Sequence, residues 1–164
     1  MKQNAQRLRK PSYLDFGRST YPWHSGIDYS AEPQTYRVGR GEQGVLICEP
    51  YKSQLLPFWR FKTPDLAASS ARKILNMFDK YVKGGDFVGA DLARKFLQMG
   101  FTRARRYANY MSGIKYDDDF QQLECGTGDA TKAECANYFY EAWHKAEANE
   151  KYAKMKKDWI AQFG

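Results

Sequence analysis

The sequence predicts an α+β fold: a mostly helical single domain with a small N-terminal β-hairpin or three-stranded sheet. Three observations carry that reading. From Pro64 onward apolar residues recur at helical spacing, first as Ala71, Ile74, Leu75, Phe78 and Val82, then as Val88, Leu92, Phe96 and Met99. Upstream, two short β-prone runs, residues 36–38 and 45–48, flank a glycine-rich stretch, which is the pattern of a hairpin. The chain of 164 residues suits one hydrophobic core and leaves little room for a second.

Residues 1–35 read as an irregular arm punctuated by Pro11, Pro22 and Pro33, with the domain proper over 36–164. The arm carries Tyr13, Phe16, Tyr21, Trp23 and Tyr29, too many rings for a disordered tail, so its aromatic part is expected to pack on the domain. After the hairpin, the run Phe58-Trp59-Arg60-Phe61 is read as a third strand or an extended segment. Thr63 then fits an N-cap, Pro64 the first helical position and Asp65 the positive end of the helix dipole. Gly84 and Gly85 end that helix and Asp86 caps the next. Gly100 is expected to stop the second helix and Thr102 to cap a short third one. Residues 111–128 are polar and read as a loop. Two helices close the chain, one carrying Ala136, Phe139, Trp143 and Ala146, the other Tyr152, Met155, Trp159 and Phe163.

Charge narrows the functional classes. The formal net charge is +7 and the pI about 9.2, a balance that attracts polyanions at long range. Aromatics make up 16% of the chain, so a dense core is compatible with a mean hydropathy of −0.74. Cys48, Cys125 and Cys135 are odd in number and lack zinc-ligand spacing, which argues against a disulfide framework or a metal site and favours reduced thiols in the cytoplasm. No apolar run has the length of a membrane span, and the basic N-terminus lacks the apolar stretch of a secretory signal.

Gly39-Arg40-Gly41-Glu42-Gln43-Gly44 is a literal G-x-G-x-x-G. The dinucleotide-binding version requires a helix to start at the glycines, whereas Val45-Leu46-Ile47-Cys48 reads as a strand. A tight turn is the expected role, with a phosphate-cradling turn aided by Arg37 and Arg40 as the functional alternative. The stronger signal lies downstream. Between Leu92 and Tyr116 the chain places Arg94, Lys95, Arg103, Arg105, Arg106 and Lys115 and no acidic residue. Guanidinium groups bind phosphate bidentately and stack on bases, so arginines interleaved with Tyr107 and Tyr110 suit a nucleic-acid surface. The competing reading pairs them with Asp86, Asp91 or residues 117–119. Trp59 and Arg60 offer a further ring and cation, and Lys52 a further phosphate contact. Catalytic constellations are thin: His24 and His144 stand alone, and Glu42 is the single carboxylate worth watching.

The segments YRVGRGEQGVL, EPYKSQLLPFWRFKTP, DFVGADLARKFLQMGFTRARRYAN, KYD and GTGD, spread from Tyr36 to the C-terminal part of the chain, resemble an uncharacterised family, domain of unknown function 4385. That family resembles a set of small proteins of bacteria, fungi and tailed phages. The resemblance implies a free-standing domain; it brings no assigned activity and hence no catalytic residue.

The sequence therefore points to a binding module for phosphate-bearing ligands, nucleic acid first. Arg40, Lys52, Arg60, Arg94, Arg103, Arg105 and Arg106 are the expected anion contacts, and Trp59, Tyr107 and Tyr110 the stacking surfaces. No cofactor or metal is expected. The alternatives are a pocket for a small phosphorylated metabolite or nucleotide, with chemistry through Glu42, and a protein-interaction role through the aromatic arm.

Overall fold

The computed structural model describes residues 21–109 and 131–164. Its elements are a short helix α1 (Tyr51–Leu55) followed by four longer ones: α2 (Pro64–Lys83), α3 (Phe87–Asn109), α4 (Thr131–Glu147) and α5 (Glu150–Phe163). Helices α2, α3 and α4 pack on one another, and α5 closes over the N-terminal half of α3. The helix starts follow the local chemistry. The Thr63 hydroxyl accepts from the Leu66 N–H at the head of α2, Asp86 accepts from the Gly89 N–H at 3.0 Å at the head of α3, and Asn149 accepts from the Tyr152 N–H at the head of α5.

The expected α+β architecture is not found. Among the described residues there is no strand, and the one pairing of extended backbone is an isolated parallel bridge between Asp28 and Glu49. Residues 36–48 form a chain of tight turns instead of a hairpin. Gln43, Val45 and Ile47 each donate their N–H three residues back, to Arg40, Glu42 and Gly44. Other carbonyls that a ladder would need are claimed by side chains of α3: Lys95 Nζ donates to Val38 O and Gln43 O, and Arg94 Nη1 donates to Gly41 O at 2.6 Å. With these three acceptors turned toward a helix, the segment is tied to α3 and not to itself. Its glycines still take the left-handed conformation expected of a turn, with φ of 67°, 62° and 82° at Gly39, Gly41 and Gly44. Trp23 supplies a second reason for two of them, because a Cβ at Gly39 or Gly44 would fall 2.5 Å from its indole ring. The run at residues 58–61 is likewise no strand: Phe58 ends a 3₁₀ turn (Leu56–Phe58) and the chain then runs irregularly into α2.

The expected break at Gly100 is also absent. α3 continues without interruption to Asn109, so Thr102 caps nothing and the arginines ride on the last turns of a long helix. Gly100 serves packing: a Cβ there would lie 2.3 Å from Phe139 Cδ1, so the glycine lets α4 approach α3 closely. In the described part of the arm two rings, Trp23 and Tyr29, are buried in the core, with the Trp23 indole donating to Arg37 O at 2.8 Å, while residues such as His24, Asp28 and Glu32 are exposed; Tyr13 and Phe16 lie outside the described residues.

Candidate functional site

The basic residues of α3 divide into two groups with opposite environments. Arg94 and Lys95 are buried, at 3% and 0% exposure. Asp91, one turn earlier on the same face, accepts from Arg94 Nη2 and from the Tyr152 hydroxyl, both at 2.6 Å, and from the Tyr36 hydroxyl. Arg94 also donates to Gln98 Oε1, and Lys95 Nζ sits over the rings of Trp23 and Tyr36. Burial alone would raise the Asp91 carboxyl; Arg94, Lys95 and the two hydroxyls outweigh it and bring its pKa down to about 2. For Lys95 burial dominates and lowers the ammonium to about 8, although Asp91 works the other way. Every buried side-chain polar atom among the described residues has a partner. Arg94 is thus an internal clamp between α3, α5 and the glycine turn, and not the phosphate contact expected of it.

Arg103 and Arg105 are exposed and Arg106 is half-buried, on the last two turns of α3. None of the three forms an ion pair among the described residues. The carboxylate that senses Arg103 and Arg106 is Glu42, to which the Thr102 hydroxyl donates at 3.0 Å. Burial pushes the Glu42 carboxyl up; Thr102, Arg103, Arg106 and Arg94 pull it back only in part. The turn that carries Glu42 also carries Arg40, which is exposed and whose backbone N–H donates to Gln43 Oε1 at 2.9 Å.

Beside Tyr107 the surface opens into a cleft of about 400 Å³, lined by Trp59, Arg60, Phe61, Lys62, Leu66, Tyr107 and Lys132. Its rings form a row: Trp59 to Phe61 at 5.0 Å between centroids and Phe61 to Tyr107 at 6.4 Å. The chain segment that builds one wall is strapped to three helices. The Trp59 indole donates to Phe96 O on α3, the Arg60 N–H donates to Ser70 Oγ on α2, and Lys132 Nζ on α4 donates to Phe61 O and Lys62 O at 2.8 Å each. Two expected stacking residues, Trp59 and Tyr107, and one expected cation, Arg60, therefore meet here. Phe61, Lys62, Leu66 and Lys132 were not anticipated; Phe61 was legible as part of an aromatic run, whereas Lys132 is distant in sequence and gave no signal. Lys52 is not brought in. It lies on α1, whose Tyr51 packs near Gly89, about 20 Å along α3 from Arg103 at 1.5 Å per residue. Tyr110 and residues 117–119 lie outside the described residues.

The model of one protein family, described as a domain of unknown function (DUF4385), matches residues 21–162. The chain belongs to that family. The DUF4385 match starts at Tyr21, two residues before the buried Trp23, and takes in the glycine turn, α1 to α4 and α5 up to residue 162. No curated protein and no solved structure matches the chain. Among the described residues there is no cluster of metal-ligating side chains, and no helix is long and apolar enough to cross a membrane.

Proposed function

We propose that this DUF4385 domain is a binding module for phosphate-bearing ligands, nucleic acid first, with Arg103, Arg105 and Arg106 as phosphate contacts and the neighbouring ring cleft as the stacking surface. The observation that carries the reading is the division of labour on α3. The helix spends Arg94 and Lys95 on its own core and leaves three arginines outside any described ion pair, next to a cleft walled by Trp59, Phe61 and Tyr107. Guanidinium groups on an exposed helix end beside aromatic faces suit a phosphate backbone with accessible bases. A reducing cytoplasmic setting fits the buried positions of Cys48 and Cys135. Anisotropy of a labelled mixed-sequence oligonucleotide at low salt tests the reading. Saturable binding is expected from the native chain and weaker binding from Arg103→Ala/Arg106→Ala; no binding by the native chain contradicts it.

A second reading rests on the volume of the cleft, which falls in the range of small-molecule sites. On that reading the ligand is a single nucleotide or sugar phosphate held by Arg60 and Lys132 and raises the melting temperature as its concentration climbs. Arg40 lies on the glycine turn and is not among the residues lining this cleft, so its replacement leaves that rise in place.

A further inference from the structure

We propose that the cleft between Trp59, Phe61, Leu66 and Tyr107 receives one unpaired nucleobase, so that the domain selects single-stranded over duplex nucleic acid. This rests on the phosphate-binding reading above and names its substrate class. The chemistry of the walls selects the occupant. Three rings and a leucine offer apolar surface, and the cations Arg60, Lys62 and Lys132 rim it with no carboxylate among the described lining residues. A flat ring attached to an anion satisfies both features; an aliphatic chain would bring no charge to the cations, whose described partners here are neutral carbonyls, and a cationic ligand would be repelled. The size agrees, since about 400 Å³ holds a base with its sugar and excludes a helix.

The cleft is also formed in advance. The indole of Trp59 is fixed by its bond to Phe96 O, and the backbone of Phe61 and Lys62 is held by Lys132. A base entering it has few groups to order. Tyr107 is the exposed ring of the row and lies one helical turn from Arg103, so a base resting on Tyr107 carries its phosphate toward the arginines. A base inside a duplex is already stacked and paired and reaches such a site only after being extruded.

The experiment compares a short single strand with the duplex of the same sequence, each carrying one 2-aminopurine, at the same salt concentration. The native chain is expected to bind the single strand about tenfold more tightly and to quench its 2-aminopurine. Tyr107→Ala and, independently, Leu66→Trp, which fills the cleft from its exposed rim, should erase the preference. Tyr107→Phe, which keeps a ring, should preserve it. Equal affinity for the two forms, weakened in both by Arg103→Ala/Arg106→Ala, overturns the cleft inference and leaves phosphate binding standing. Failure to bind either form overturns the phosphate reading and the cleft inference with it.

Discussion

The guanidinium of Arg94 lies 2.6 Å from the carboxylate of Asp91, and both side chains are buried. This pair decides how the basic stretch of α3 divides. A charge buried beside its partner is expensive to leave behind, so Arg94→Met should destabilise the fold by about 3–5 kcal/mol by removing the nearest cation from Asp91 and leaving Lys95 and two hydroxyls to hold it. Arg103→Ala or Arg105→Ala, at exposed positions, should each change stability by no more than about 0.5 kcal/mol. Chemical denaturation of the three variants checks the contrast; equal losses would remove the distinction between clamp and surface.

Lys95 should give the fold an unusual alkaline dependence. Its folded pKa is lowered to about 8 from an ordinary 10.5, so between these values the unfolded chain binds more protons than the folded one. Stability then rises with pH across that window, because a neutral amine sheds the desolvation penalty and still has two hydrogens for Val38 O and Gln43 O. Measured at pH 7.5 and 9.5 against Lys95→Met, the native chain should gain on the order of 1–2 kcal/mol relative to the variant. Parallel pH curves for the two proteins would contradict this.

Asp91 acts at the other end of the scale. Its folded pKa, about 2, lies below the ordinary 3.8, so the stability it supplies is complete above pH 4 and is lost as pH falls through that interval. Asp91→Asn should flatten the acid limb of the stability curve while lowering stability at pH 7.

Gly100→Ala should lower the melting temperature even though alanine is the better helix former. The propensity gain is about 1 kcal/mol at most, whereas driving a methyl into the Phe139 ring is an overpacking change of about 1–3 kcal/mol. A variant that melts higher than the native chain would show that α4 can shift away from α3 without loss.

Much of the helical part was legible in the sequence because its signals are local. Thr63, Asp86 and the apolar stripes act on residues within a turn or two of themselves. The hairpin was misread because its decisive partners are remote: nothing within residues 36–48 reveals that Lys95 and Arg94, more than fifty residues on, take the carbonyls of Val38, Gln43 and Gly41. Gly100 was misread for the same reason, since a glycine that ends a helix and one that admits a ring from another helix look alike in one dimension. At the site, Trp59, Arg60 and Tyr107 were named from composition and are indeed neighbours, while Arg94 was assigned to the surface although Asp91 at i−3 already offered it a partner.

If Arg103 and Arg106 at the end of α3 contact phosphate, the salt dependence of single-strand binding carries their signature. Each phosphate contact contributes about 0.7 to the slope of log affinity against log salt for a single strand, so Arg103→Ala/Arg106→Ala should flatten the slope by about 1.4 in a protein that still folds. An identical slope in the native and doubly substituted proteins, or no detectable binding by the native protein at low salt, would contradict the account.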